Sequence, residues 1–382
     1  VRGITLLLLA LAAWPAAAST FRLIMLVPTD DPRLQRNRLD RAALGQPGGP
    51  AADGLKVALA EGRFELDAAG HKFELEVLEV GDAAAAQSAA SKAERSGVAA
   101  IVADLPAPWL LAAADATKLP LLNVGAAADS LRQSDCRRNL WHMLPSERMR
   151  SDALAQYLAA RRWQQVLLLT GPSDTDRERS AAAQESIRRY GLKLVARRPF
   201  KLSADPRERE LANPLLLTQG SYDLTWVVDS DGEFAVGLPY RSALSRPVVG
   251  DAGLVAVAWS PRFERFGAPQ VSRRFARTAG RPMGAHDWSA WIAGKLLVAA
   301  AVAPGVQGPG ALAQGLAGAR VDGSKGVSLS LRPWDGQLRQ PILLSDGIAV
   351  IATAPQDGVL HPKDALDTLG ADAPEKLCKA RL

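Results

Sequence analysis

The stretch Phe73–Ala103 reads FELEVLEVGDAAAAQSAASKAERSGVAAIVA, and the fold turns on how it is read. Phe73–Val80 alternates apolar and acidic residues, the period of a β-strand with one buried face. Ala83–Arg95 is Ala-rich and predicts a helix. Ala99–Ala103 is a short apolar run that predicts a buried strand. Strand, helix and strand in so short a span imply parallel pairing, because a helix is the usual connection between parallel neighbours.

The pattern extends in both directions. Upstream, Phe21–Val27 is an apolar run ending at Pro28, and Asp53–Phe64 has helical spacing at Leu55, Ala58 and Leu59. Downstream, Trp109–Thr117 predicts a helix after a Pro-marked turn, and Leu121–Val124 a strand. The series then restarts. Glu147–Arg161 predicts a helix, Val166–Thr170 a strand, Arg177–Tyr190 a helix closed by Gly191, Leu192–Ala196 a strand, Arg207–Thr218 a helix and Leu224–Val228 a strand. Pro247–Gly250 and Leu254–Ala258 predict two further short strands. The result is two α/β modules in tandem, with Leu140–Pro145 as the first crossing between them.

Past Pro261 the chain keeps adding elements. Pro269–Thr278 and His286–Ala303 predict helices, followed by a Gly-rich stretch over Gly305–Gly318. Val327–Leu331, Ile342–Leu344 and Ile348–Thr353 predict strands, the last two a hairpin through Ser345-Asp346-Gly347. A chain that has completed two modules and then adds more is expected to cross back. The expected fold class is therefore α/β and two-lobed. Each lobe is a parallel sheet sandwiched by helices, the hinge is several crossing strands, and a ligand cleft lies between the lobes. The expected bounds are 19–142 with 262–325 for the first lobe and 143–261 with 326–355 for the second, leaving 356–382 as a tail.

The N-terminal residues predict export. One positive residue, Arg2, precedes the apolar run Ile4–Ala13, and Trp14-Pro15 break it before Ala16-Ala17-Ala18. This is the composition of a secretory signal peptide, residues 1–18, cleaved after Ala18, and it places the protein in the periplasm. Ile4–Ala13 is about half of the roughly 20 residues a spanning helix needs. No Cys follows the small residues, so no lipid anchor is expected. Trp288–Ala303, the longest later apolar stretch, contains Lys295 and ends at Pro304, so it reads as a buried helix.

The formal charge is +6, from 46 basic and 40 acidic residues with both signs interspersed. The Arg pairs at 161–162, 188–189, 197–198 and 273–274 sit on or beside amphipathic elements, and no basic stripe carries interleaved aromatics. Nucleic acid is excluded as a partner on that ground. No heptad pattern appears, so a monomer is expected. The two cysteines, Cys136 and Cys378, lack a second Cys or a His at ligand spacing, and in an exported chain an even count predicts a disulfide. Such a bond would pin the C-terminal tail to mid-chain.

The sequence resembles the type I periplasmic substrate-binding proteins of ABC transporters, the group that includes the branched-chain amino-acid binding proteins. Within it, the sequence is similar to the family encoded with PQQ-dependent alcohol dehydrogenase systems. Leu331-Arg332-Pro333-Trp334-Asp335-Gly336-Gln337-Leu338-Arg339-Gln340-Pro341 carries most of this resemblance. Met149–Leu158, Asp229–Phe234, Pro239–Arg241, Arg246–Gly250, Gly253–Val255, Gly267–Gln270, Asp287–Trp291 and Leu366–Gly370 add to it. The resemblance implies a periplasmic component of a transport system linked to PQQ-dependent alcohol oxidation, with binding groups on the loops at the strand C-termini. The general rule for open α/β sheets agrees.

That rule selects the candidate residues. In the first lobe they lie in Asp104–Trp109 and Gly125–Ser130, with Asp104, Trp109 and Ala126 foremost. In the second lobe they lie in Gly171–Asp176, Asp229–Glu233 and Asp251–Gly253, with Asp174, Asp229, Asp231, Glu233 and Asp251 foremost. Amino-acid binders of this fold hold the ligand carboxylate with hydroxyl residues and backbone N–H groups. The segment Asp-Leu-Pro-Ala-Pro-Trp has no hydroxyl and starts with an acid, which argues against an amino acid. Convergent carboxylates would suit a cation or a hard metal ion. The competing reading is that strand-end Asp residues cap helices and shape turns. Among the tryptophans, Trp109 and Trp259 are candidates to line the cleft. Trp163, Trp226, Trp288 and Trp291 are expected to pack cores, and the Trp334 turn to be structural or to touch the transporter.

No enzyme is expected and no cofactor. His71, His142, His286 and His361 are scattered without paired ligand spacing, and no nucleophile elbow, P-loop or strand-linked Gly-rich fingerprint is present. The leading expectation is a receptor that closes on a small solute and docks on a membrane permease. The alternative is a periplasmic accessory or sensor protein of the alcohol dehydrogenase system, binding a metal or metal chelate.

Overall fold

The computed structural model describes residues 19–41, 43–306, 308–358 and 360–381, so the expected signal peptide lies outside the described residues. Strand β1 (Ser19–Pro28) pairs in parallel along its whole length with β2 (His71–Val80). With β3 (Ala100–Ala103), β4 (Leu121–Asn123) and β5 (Leu140–His142) they form one parallel sheet, in the order β2-β1-β3-β4-β5. Both faces are covered, and successive side chains go to opposite cores. Phe21, Leu23 and Met25 enter one core, with helices Ala52–Glu61 and Ala285–Ala301. Ile24 and Leu26 enter the other, with helices Ala83–Arg95 and Ala107–Asp115.

The second lobe repeats the plan. Strands β6 (Gln165–Thr170), β7 (Lys193–Pro199), β8 (Leu224–Val228) and β9 (Val248–Gly250) make a parallel sheet in the order β7-β6-β8-β9. Val166 and Leu168 join helices Glu147–Ala160 and Asp174–Arg189 in one core, while Leu167 and Leu169 face Phe200, Phe234 and Leu238 in another. The two-lobed α/β fold class expected from the sequence is the one observed.

The strands that follow build the joint. Strand β10 (Val255–Val257) precedes a small hairpin of β11 (Arg320–Asp322) and β12 (Ser328–Ser330). Strand β13 (Ile342–Ser345) pairs antiparallel with both β10 and β14 (Val350–Ala354). In β10 and β13 the period of two serves both lobes at once. Val255, Val257 and Leu343 enter the first lobe's core, and Ala256, Ile342 and Leu344 the second's. A strand so placed cannot shift by one residue without exchanging both sets.

Helix Ala285–Ala301 is buried on nearly every side, as read from its apolar run. It lies so close to helix Ala52–Glu61 that a Cβ on Gly294 would stand 2.6 Å from that of Ala58. Among the described residues no helix is long and apolar enough to cross a membrane.

Several elements differ from expectation. The helix expected over Arg207–Thr218 is a 3₁₀ turn, Pro206–Ala212, and a short helix, Pro214–Leu217. Pro214 forces Asn213 out of the helical region, and the Asn213 side chain accepts from Leu215 N instead. The helix expected over Asp53–Phe64 breaks at Gly62. The Gly-rich stretch contains a helix, Leu312–Gly318, because Gly315 allows contact with the Ala300 carbonyl. Ile348, expected in a strand, lies in the hairpin turn and is exposed.

Cys136 and Cys378 are joined by a disulfide, as expected, with Cα atoms 5.6 Å apart. Upstream of it the tail is fastened to the second lobe: Gly370 N donates to Asp152 at 2.9 Å, and Arg148 pairs with Glu375 at 2.9 Å. Downstream, Arg381 donates to the Leu140 carbonyl at 2.7 Å and lies over the Trp141 ring. The tail therefore passes from the second lobe to the first.

Candidate ligand-binding cleft

The C-terminal ends of both parallel sheets open on a cleft of about 1390 Å³. Its first wall begins at β3. Pro106 ends the strand's extension and starts helix Ala107–Asp115, which leaves Asp104 at the strand end. Asp104 is buried and accepts from Arg33 Nη2 and His286 Nε2, each at 2.8 Å. Burial would raise its pKa, but His286 and Arg33 outweigh burial and hold it at about 2. Arg33 comes from the turn after β1 and also chelates Asp31. It and His286 line the cleft, with Asp104 behind them.

After β4, buried Asn123 shapes the next loop. Its Oδ1 accepts from Gly125 N and Ala126 N, and its Nδ2 donates to the Ala126 carbonyl at 2.7 Å. Its Nδ2 also stands 3.0 Å from His142 Nδ1, which therefore accepts. Burial, with Arg132 and Arg381 nearby, pushes the His142 imidazole well below its ordinary range. This side-chain turn presents Ala126 and its neighbours to the cleft.

The second wall is an alternating chain of charges. Asp251 accepts from Arg179 at 2.6 Å, Arg179 donates to Glu147 at 3.2 Å, and Arg150 approaches Glu147 at 3.5 Å. Asp251 also accepts from Asp229 N at 2.7 Å. The arginines hold the Glu147 carboxyl below its ordinary value against the effect of burial. Apolar surface comes from both lobes, including Leu111, Val124, Leu154 and Trp226.

At the mouth the lobes meet through exposed charges. Arg38 pairs with Asp231 at 2.9 Å, and Arg41 reaches Asp231 at 3.6 Å and Glu233 at 3.5 Å.

The residues expected from the sequence thus take different places. Ala126 and Asp251 line the cleft, Asp104 backs it, and Asp231 and Glu233 bridge its mouth. Asp229 is buried and caps a turn, accepting from Phe234 N and Ala235 N at 2.9 Å. Asp174 is exposed and pairs with Arg177 on its own helix. Trp109 packs half-buried against the core behind the first loop. Trp259 is in the first lobe's core, stacked on Trp288, whereas Trp226 borders the cleft.

Of the two readings of the strand-end acids, turn-shaping is the one observed at Asp229. No three His, Cys, Asp or Glu among the described residues could hold a metal ion. Arginine side chains and backbone N–H groups occupy the acids instead. The cleft residues missed in the sequence, Arg33, Glu147, Arg150, Arg179 and His286, belong to the turn after β1 and to helices. The strand-end rule applied to β1 would have found Arg33. The tail residues Glu375 and Leu377 also line the cleft, held there by the Arg148–Glu375 pair and the disulfide.

A family model described as periplasmic binding protein matches residues 42–208, less than half of the chain. No curated protein matches it. Among solved structures, an ABC transporter substrate-binding protein from Sphaerobacter thermophilus is similar at a TM-score of 0.69 and 17% identity, over 88% of this chain and 98% of that one. A solute binding protein of an ABC transporter from Rhodopseudomonas palustris BisB5, in complex with 3,4-dihydroxy benzoic acid, gives 0.65 and 16%, over 88% and 97%. A leucine-, isoleucine-, valine-, threonine- and alanine-binding protein from Brucella ovis, in a closed conformation, gives 0.66 and 14%, over 86% and 89%. At these identities the likeness establishes the fold, that of the type I periplasmic binding proteins.

Proposed function

We propose that the chain is the periplasmic solute-binding component of an ABC transporter. It takes a small solute into the cleft, closes on it about the crossing strands and delivers it to a membrane permease. It binds and releases, and is not an enzyme. The observation that carries this reading is the cleft of about 1390 Å³ at the C-terminal ends of two parallel sheets joined by buried strands. Small-molecule pockets hold about 300–1,000 Å³, so closure would fit the cleft to its solute. The lobe bounds 19–142 with 262–325 and 143–261 with 326–355 belong to this reading. So do Asp104, Ala126 and Asp251 as groups near the solute.

The match to a periplasmic binding protein model supports the location. The printed names of the similar structures, one holding an aromatic acid and another named for amino acids, support a small organic solute. A link to PQQ-dependent alcohol oxidation rests on the resemblance of Leu331–Pro341. Gln337 and Gln340 of that run bond the first crossing at Leu144 and Met143, so it speaks for a shared hinge and leaves the solute open.

The test is small-angle scattering and thermal unfolding of residues 19–382 with a panel of solutes. A ligand of the folded state adds about 2.7 kcal/mol at 100 times its dissociation constant. The expected result is a raised Tm with one solute class and a smaller radius of gyration. A folded protein that responds to no solute, and binds a dehydrogenase instead, would replace this reading with the accessory one.

A further inference from the structure

We infer that the C-terminal tail is a strap between the lobes, closed by the Cys136–Cys378 disulfide, and that it sets a stop on how far the cleft opens. This rests on the receptor reading and deepens it, because it names what limits the motion. With the lobe bounds given above the chain crosses between the lobes three times, and the tail adds a fourth, covalently fixed crossing.

The tail is held on each side by contacts of a different kind. On the second lobe, helix Glu147–Ala160 takes it twice. Asp152 accepts from Gly370 N at 2.9 Å, and Arg148 donates to both oxygens of Glu375, at 2.9 and 3.0 Å. On the first lobe the hold is the covalent bond to Cys136. Two hydrogen bonds follow it: Arg138 Nε donates to the Ala380 carbonyl at 3.3 Å, and Arg381 to the Leu140 carbonyl at 2.7 Å. Both cysteines are buried, which keeps an attacking thiol away from the bond. The covalent end of the strap is therefore permanent, and the ion pair is the end that can let go.

Only three residues lead from Glu375 to Cys378. Fully extended, three residues reach about 10 Å. The span is not extended, because Lys376 bends it in the left-handed region at φ 51°. It has some give, and then it stops. If Arg148 releases Glu375, the next contact upstream is Trp334 Nε1 on the Ala371 carbonyl, at 3.3 Å. From Ala371 to Cys378 is seven residues, a reach of about 23 Å. The Arg148–Glu375 pair thus decides whether the strap is short or long. It stands where a stop acts on the solute, since Arg148, Glu375 and Leu377 all line the cleft. An open form kept near the closed one has a smaller population shift to make on binding, so the solute is bound more tightly.

Pulsed electron resonance on residues 19–382 measures the opening with no solute present. Nitroxides are placed by Ser88→Cys on helix Ala83–Arg95 of the first lobe and by Ser221→Cys before β8 of the second, both exposed positions. The native cysteines are bonded to each other and take no label. Glu375→Ala releases up to about 13 Å of chain and is expected to add a population of lobe separations longer by about 5 Å or more. Cys136→Ser with Cys378→Ser removes the stop and is expected to extend the distribution further. If near-ultraviolet circular dichroism shows that the double variant does not fold, Glu375→Ala decides alone. Unchanged distances in the folded variants would overturn the strap and leave the receptor reading intact, because that reading needs only closure on a solute. Lengthened distances in a protein whose Tm responds to no solute would support the strap and overturn the receptor reading.

Discussion

The hinge and the mouth of the cleft both join the lobes through arginine, and they are built in opposite ways. At the hinge, Arg132 is buried and donates to Gln337 and to the carbonyls of Ala126, Ala128 and Leu144. Arg332 is wholly buried and donates to Asp367 and to the carbonyls of Leu366 and Leu369. Gln337 and Gln340 fill the remaining acceptors of the first crossing. At the mouth, Arg38 and Arg41 meet acids that are half open to water. Buried donors that satisfy several fixed acceptors cannot be exchanged for water, so they hold one geometry. Exposed pairs exchange with water at little cost and can open. The protein concentrates its rigidity at the crossing strands, where the proposed closure would pivot, and leaves the breakable contacts at the mouth of the cleft.

The largest effect expected from this contrast is at Arg332. Arg332→Ala strands carbonyls of the tail and part of Asp367, and should cost about 3–5 kcal/mol in urea unfolding. A loss below 1 kcal/mol would remove the hinge side of the comparison. Next comes the disulfide. Replacing Cys136 and Cys378 by Ser should cost about 2–4 kcal/mol. If the tail restrains the lobes, the double variant should also show a larger radius of gyration by scattering.

Lys325 supplies a pH test of the hinge. Its amine is buried against Gln340, the Pro341 carbonyl and the Trp288 ring, with no acid paired to it among the described residues. Burial holds its pKa well below the ordinary value. The unfolded chain therefore binds a proton that the folded one gives up between the depressed pKa and the ordinary one. Stability should rise with pH across that window, by up to about 1.4 kcal/mol per unit. Lys325→Met should lack this rise, and parallel curves for the two proteins would refute the assignment.

The smallest effect is expected at the mouth. Arg38→Ala with Arg41→Ala should change stability by no more than about 1 kcal/mol. It should nevertheless enlarge the unliganded protein in scattering, and added salt should do the same to the wild type. A stability loss as large as that of Arg332→Ala would erase the distinction.

The alternation of strand and helix was legible because it is local. Phe73–Val80 and Ala99–Ala103 showed their faces by periodicity, and both modules followed from the same reading. Strand β12 was read within Val327–Leu331, but its partner β11 was missed, because the Gly-rich stretch before it and its three residues carry no readable period. The arginine cluster of the cleft was missed because Arg33, Arg150 and Arg179 look like surface charges one at a time. The acids at the strand ends were seen with two readings, cation binding or turn-shaping, and their arginine and N–H partners, which decide between the two, were not legible.

The sequence by itself determined the fold class, and it predicted the disulfide, since two cysteines leave one pairing within the chain. Periodicity and composition are properties of neighbouring residues, and they are written in order along the chain. Only the tertiary structure decided the electrostatics of the cleft. Asp104 meets Arg33 and His286, which lie 71 and 182 positions away along the chain. Whether a carboxylate is free to bind a cation depends on a distance of about 3 Å to its nearest donor, and no local pattern specifies that distance.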